Sequence, residues 1–210
     1  MQNAVQEGLC RKQQNITVMN AQQIKLAQLR EKLMSNRKVI CTGNPSDPST
    51  LASGFIKIFP DATFIHRSAG WDLTDQSTEA RTKLKELFSQ HNTFINASYI
   101  APYTQSYLLE VCNQSVKFCD VFNIGSTHEY DNIGTTDYTQ SKLDLRNKSL
   151  QLNTYRFCTH HVVIGKIKKA SDSESNDGLD LATICNTIPW IMQQSFNVPL
   201  ICVDQRKAPW

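Results

Sequence analysis

Between Lys38 and Val203 short apolar runs alternate with longer stretches whose apolar residues recur every three or four positions. A short run bounded by turn residues reads as a strand buried on both faces, and a recurrence near 3.6 reads as a helix with one face on a core. This alternation restricts the chain to parallel strands joined by helices, because parallel neighbours need a long crossover and a helix is the usual one. Residues 38–43 form the first run; Leu51, Phe55, Ile58 and Phe59 mark a helix, and residues 62–66 a second strand. Residues 75–90 place Ala80, Leu84, Leu87 and Phe88 on one helical face, with Thr74 or Asp75 as the expected cap. Strands are expected at 93–96, 120–124, 158–164 and 199–203, and helices around Tyr107–Cys112, at 138–152 and at 181–194. The expected fold class is α/β: a Rossmann-type, doubly wound, mostly parallel sheet with helices on both faces.

A chain of 210 residues, 40% hydrophobic and 20% charged, suits one good-sized domain and excludes a wholly disordered chain. Residues 1–38 carry seven Lys/Arg against Glu7 and Glu31, a local excess of +5, so that the remainder is −2 within the total of +3. The expected organisation is a basic helical extension at 1–36, with an amphipathic helix at 20–34, followed by a domain at 37–210. A basic arm without clustered charge or interleaved aromatics reads first as a solvated face, so nucleic acid is not an expected partner. No uncharged apolar run approaches the roughly 18–20 residues of a membrane span, so a cytoplasmic location without membrane attachment is expected. The seven cysteines are scattered without C-x-x-C spacing, which points to reduced thiols and to no metal. Residues 168–178, rich in Ser, Asp and Asn, read as a surface loop placed where a substrate lid could lie.

Ligands of open parallel sheets bind beyond the carboxyl ends of the strands. Polar residues gather there: Thr42, Gly43, Asn44 and Ser46 after the first strand, Arg67 after the second, Asn96, Ala97 and Ser98 at the third, Gly125 and Ser126 after the fourth. The sharpest local feature is Tyr138 with Lys142, four apart on a helix and therefore on one face. A phenol, with an ordinary pKa of about 10, is a poor base near neutrality, and a neighbouring cation stabilises its anion and brings proton transfer within reach. Ser126 lies twelve residues before Tyr138, with turn-forming residues 131–134 between, so a carbonyl oxygen could sit between the two hydroxyls.

In order and spacing these residues resemble the short-chain dehydrogenases/reductases, from Lys38 to about Asp204. Thr42-Gly43 is similar to the start of that family's glycine-rich turn, Asp72-Leu73 to its adenine-contacting pair, and Phe94 to Ser98 to its Asn-Asn-Ala-Gly segment. Ile124-Gly125-Ser126 and Tyr138 to Lys142 look like its catalytic Ser, Tyr and Lys, and Val163 to Ile167 like its Pro-Gly strand end. The resemblance implies an NAD(P)-dependent oxidoreductase transferring hydride between NADPH and a small carbonyl or alcohol substrate. Tyr138 would be the general acid/base, Lys142 its cationic neighbour and a contact of the nicotinamide ribose, and Ser126 the group that orients the carbonyl. Thr42, Gly43, Asn44, Ser46, Thr50, Leu51, Arg67, Asp72, Leu73, Asn96, Ala97, Ser98, Gly165 and Ile167 would complete the cofactor site. Arg67 stands where an acidic residue would bind the ribose of NAD; a guanidinium suits a 2′-phosphate, which favours NADP over NAD. A homodimer or homotetramer is implied by the same resemblance.

The sequence departs from that pattern in four places. Residues 44–52 replace closely spaced glycines with Asn, Pro, Ser, Asp, Thr, Leu and Ala. The span from His66 to Asp72 is too short for a helix and a further strand, Asn113 stands too near Ser126 to match the family's helix asparagine, and Ile164 replaces a proline. These departures motivate the alternative of a non-catalytic nucleotide-binding or interaction module on the same fold.

Overall fold

The computed structural model describes residues 36–130, 136–168, 178–194 and 196–204. From Lys38 onward they form one compact unit. Strands β1 (Val39–Thr42), β2 (Thr63–Ile65), β3 (Thr93–Asn96), β4 (Cys119–Ile124), β5 (Phe157–Ile164) and β6 (Leu200–Val203) alternate with helices α1 (Leu51–Ile58), α2 (Thr78–Ser89), α3 (Thr104–Ser115), α4 (Asp137–Leu152) and α5 (Leu181–Met192). The six strands make one sheet in the order β2-β1-β3-β4-β5-β6. Every pairing is parallel, so the sheet is parallel throughout rather than mostly so. The chain steps outward from β1 to β2, returns across β1 to β3, then runs outward to β6. That reversal opens a crevice at the carboxyl ends of β1 and β3.

The apolar runs become central strands because each is covered on both faces: β1, β3, β4 and β5 are buried at every position. On one face Leu51 and Phe55 of α1 pack with Ile184, Cys185 and Ile188 of α5 over Cys41, Phe122 and Val162. On the other, Leu84 and Phe88 of α2, Leu108 and Leu109 of α3 and Leu145 of α4 cover Ile40, Phe94 and Val121. Burying a Leu or Phe side chain of this kind stabilises the fold by roughly 1.5–3 kcal/mol.

The β2 edge of the sheet is short. Between β2 and α2 there is only a 3₁₀ turn, Arg67–Ala69, ended by Gly70 at φ 84°, so β2 is the edge strand. Helix α2 starts at Thr78 and is capped by Ser77, whose hydroxyl accepts the Ala80 N–H at 3.2 Å, and not by Thr74 or Asp75. Those two belong to preceding turns, in which the Asp75 carboxylate accepts the Ser77 N–H and Asp72 accepts both the N–H and the hydroxyl of Thr74. No helix among the described residues is long and apolar enough to cross a membrane. The helix expected at 20–34, the turn at 131–134 and most of the loop at 168–178 lie outside the described residues.

Candidate active site

Ser126 follows the carboxyl end of β4, and Lys142 and Tyr138 stand one turn apart near the start of α4. Thr136 caps that helix by accepting the Thr139 N–H at 3.2 Å, which sets the register that aims both side chains inward. Ser126, Tyr138 and Lys142 line one cleft of about 360 Å³, with Leu51, Ala97, Tyr99, His128, Gly165 and Ile167 among its other walls.

Lys142 is 3% exposed. Its ammonium donates to Gln105 Oε1 at 2.7 Å and to the Ile124 carbonyl at 2.8 Å, and it lies 5.6 Å from the centre of the Tyr138 ring and 5.9 Å from that of Tyr99. Burial pushes its pKa down to about 8, while the negative charge of Glu129 acts in the opposite direction. The two tyrosine rings meet edge to face at 4.8 Å, and the His128 ring meets Tyr138 at 5.9 Å. Ser126 is buried at 7% exposure; its N–H donates to Glu129 Oε1 at 2.9 Å and its hydroxyl oxygen accepts the His128 N–H at 3.3 Å. With that oxygen serving as acceptor, the hydroxyl proton remains for a group entering the cleft.

A second cleft of about 210 Å³ lies toward β2, lined by Gly43, Asn44, Arg67, Asp72, Leu73 and Ser98, with His66, Trp71, Tyr99 and Ile100. Tyr99 borders both clefts. Gly43 has φ 122°, and a Cβ there would meet Ser98 Oγ at 2.6 Å, so the chain passes close to the end of β3 only as glycine. The Arg67 side chain is 81% exposed, 4.0 Å from the Asp72 carboxylate. Asp72 is held below the usual carboxylate range, chiefly by its hydrogen bonds from Thr74 and secondarily by Arg67.

Gly125 and Ile164 also line the first cleft, whereas Thr42, Ser46, Thr50 and Asn96 line neither. Thr42 is fully buried and its hydroxyl oxygen accepts the N–H groups of Ala97 and Ser98 at 2.8 and 2.9 Å, tying β1 to the end of β3. Asn96 is buried and donates to the Gln105 carbonyl and to Asn123 Oδ1, both at 2.9 Å. Ser46 and Thr50 belong to a turn closed on itself. The Ser46, Asp47, Ser49 and Thr50 N–H groups donate to Asn44 Oδ1, the Asn44 carbonyl, Asp47 Oδ1 and the Asp47 carbonyl, and the Thr50 hydroxyl donates to the Asn44 and Asp47 carbonyls. The first free amides come next: the Leu51 and Ala52 N–H groups, in the first turn of α1, have no intrachain partner among the described residues.

Four site residues have no local sequence signal. Tyr99 sits directly after Ser98, Gln105 is 37 positions from the lysine it holds, and Glu129 is 32 from His161, its partner. Only the fold brings these pairs together. Gln105 also donates to the carbonyls of Asn96 and Ile124, at 2.8 and 3.4 Å, so one amide links α3, β3, β4 and the Lys142 ammonium.

The fold is that of the short-chain dehydrogenases/reductases. The chain is similar to a putative oxidoreductase from Escherichia coli str. K-12 at a TM-score of 0.60 and 14% identity, over 80% of this chain and 96% of that one. It is similar to the 3-alpha-hydroxysteroid dehydrogenase from Pseudomonas sp. B-0831 complexed with NADH at a TM-score of 0.56 and 12% identity, over 79% and 94%. It is likewise similar to a short-chain dehydrogenase from Sphingobium yanoikuyae in complex with NADPH at a TM-score of 0.60 and 12% identity, over 80% and 87%. No family model and no curated sequence matches the chain.

Proposed function

We propose that the chain is an NAD(P)-dependent oxidoreductase that interconverts a small carbonyl compound and its alcohol. One observation carries the reading: a phenol, a buried ammonium beneath its ring and a hydroxyl with an unassigned proton line a single cleft at the carboxyl ends of β3, β4 and β5. The similar structures solved with NADH and NADPH support a nicotinamide nucleotide as the hydride carrier.

The residues present fit such a nucleotide. Two clefts meet at Tyr99, and the free N–H groups of Leu51 and Ala52 offer the positive end of α1 to a phosphate. Leu51, Ala97, Gly165 and Ile167 would border the nicotinamide end, and Gly43, Asn44, Arg67, Asp72, Leu73 and Ser98 the adenosine end. The exposed Arg67 guanidinium favours NADP, through bidentate contact with a 2′-phosphate. When bound there, a reduced nicotinamide would supply the hydride that the carbonyl carbon takes up. The Ser126 hydroxyl donates a hydrogen bond to the carbonyl oxygen, and the Tyr138 phenol passes its proton to that oxygen as negative charge grows there. Lys142, fixed by Gln105 and the Ile124 carbonyl, faces the charge left on the phenol. In the oxidative direction Tyr138 takes the alcohol proton. The clefts lie within one chain, and assembly into a homodimer or homotetramer, with a cytoplasmic location, belongs to the same reading.

The self-bonded turn at residues 44–50 favours a second reading, a nucleotide-binding or interaction module without turnover. Titration with NADPH and NADH, followed by energy transfer from tryptophan, and then carbonyl-dependent loss of absorbance at the reduced-nicotinamide band, separates the two. Saturable NADPH binding with turnover on a carbonyl panel is expected. Binding without turnover supports the module, and binding of neither nucleotide at millimolar concentration refutes the enzyme.

A further inference from the structure

Beneath Ser126 lies a charged group that the proton transfer does not use. The Glu129 side chain, on the 3₁₀ turn Thr127–Tyr130 after β4, is wholly buried. One carboxylate oxygen accepts the Ser126 N–H at 2.9 Å. The same oxygen lies 2.9 Å from His161 Nε2, the other oxygen 3.1 Å from it, and Arg146 Nε of α4 is 3.6 Å from that second oxygen. His161, on β5, is 0% exposed and its Nδ1 has no partner among the described residues. The proton therefore sits on Nε2, facing the carboxylate, since the other tautomer would leave a buried donor unmet and turn a lone pair toward an anion. Gly125 is the residue that admits this arrangement, because a Cβ there would collide with both Glu129 Oε1 and His161 Nε2.

A carboxylate this buried persists only where its charge is matched, and here two hydrogen-bond donors and the Arg146 guanidinium converge on it from three parts of the fold. We propose that Glu129 is a positioning residue for the Ser126–Tyr138–Lys142 cluster: its carboxylate fixes the Ser126 backbone against His161 and Arg146 and sets the charge beneath the cleft. The proposal rests on the oxidoreductase reading. The Ser126 N–H bond fixes the direction in which the hydroxyl leaves the strand end, and the His128 N–H on the same turn holds the hydroxyl oxygen from the other side. The same anion opposes the effect of burial on Lys142. The charged and titratable groups facing Glu129 are His161 from β5, Arg146 and Lys142 from α4, and Cys202 from β6, whose thiol is pushed up by burial and by Asp204 and Glu129.

The test compares the full chain with Glu129→Gln, which keeps shape and removes charge, and with the double variant Glu129→Leu/His161→Leu, which removes the charge together with the donor it satisfies. Three quantities are read: kcat and KM on a carbonyl substrate from pH 6 to 10, NADPH affinity by tryptophan fluorescence, and the titration of the Lys142 side chain by NMR without substrate. For Glu129→Gln the expectation is a kcat lower by about tenfold with NADPH affinity within about twofold. Its alkaline limb and its Lys142 titration both move acidward by about half to one pH unit. The double variant moves the same quantities in the same direction, and is read in place of Glu129→Gln if that variant does not fold. An unchanged alkaline limb and Lys142 titration overturn the proposal, as does a loss of kcat matched by an equal loss of NADPH affinity. If the parent chain shows no turnover the oxidoreductase reading fails on its own. The Lys142 titration then still decides whether Glu129 sets the charge: a shift upholds that role and no shift refutes it.

Discussion

Lys142→Met isolates the electrostatic cost of the buried ammonium. In the unfolded chain a lysine titrates near 10.4, and in the fold burial brings Lys142 down to about 8. Between those values the unfolded chain binds more protons than the folded one, so this group makes stability rise with pH across that window. Below about pH 8 the cost is fully present; above the unfolded value it has vanished. A separation of about 2.5 units corresponds to roughly 3 kcal/mol, of which about 2 kcal/mol is recovered between pH 7 and pH 9.5. Methionine fills similar volume without a charge. The difference in unfolding free energy between parent and variant, from urea titrations at the two pH values, should change by about 2 kcal/mol in favour of the parent at the higher pH. Taking the difference cancels the buried thiols of Cys41 and Cys119, raised chiefly by burial, which act the opposite way in both proteins. A difference that stays flat within about 0.5 kcal/mol would show that Lys142 is not held in a dry site.

Thr42→Val should leave the N–H groups of Ala97 and Ser98 without an acceptor and lower stability by about 2–4 kcal/mol, read from the urea midpoint. Gly125→Ala forces a methyl against Glu129 and His161, and a loss of about 2 kcal/mol with weakened turnover is expected. Phe88→Ala empties a fully buried site beside Phe94, whose ring lies 4.8 Å away, and should cost about 3–5 kcal/mol while leaving nucleotide affinity unchanged. Arg67→Ala should reduce the preference for NADPH over NADH by about tenfold in a fluorescence titration, with the urea midpoint unmoved.

The strands were legible because a parallel strand covered on both faces is an unbroken apolar run, as in Val39–Cys41 and Val121–Phe122, and a run of that kind has few other places to go. Tyr138 and Lys142 were legible for a similar reason, four positions apart within one helix. Caps were less so. Thr74, Asp75 and Ser77 are all good capping residues, and which one the helix takes depends on turns whose hydrogen bonds compete for the same side chains. The turn at 44–50 looked like a degraded phosphate cradle, yet its polar side chains satisfy its own amides, which composition does not reveal. Gln105 with Lys142 and Glu129 with His161 are tertiary pairs, the first joined across α3 and α4 and the second between the turn after β4 and strand β5. Neither has a spacing rule, so only the sheet order made them neighbours.

In the proposed reaction the Tyr138 phenol exchanges a proton with a substrate oxygen in the cleft it shares with Ser126 and Lys142. Steady-state oxidation of NADPH with a panel of aldehydes and ketones, for the parent chain and for Tyr138→Phe, tests it most directly. A fall in kcat of at least about 10³-fold with NADPH still bound is expected. Turnover by the phenylalanine variant within tenfold of the parent would contradict it.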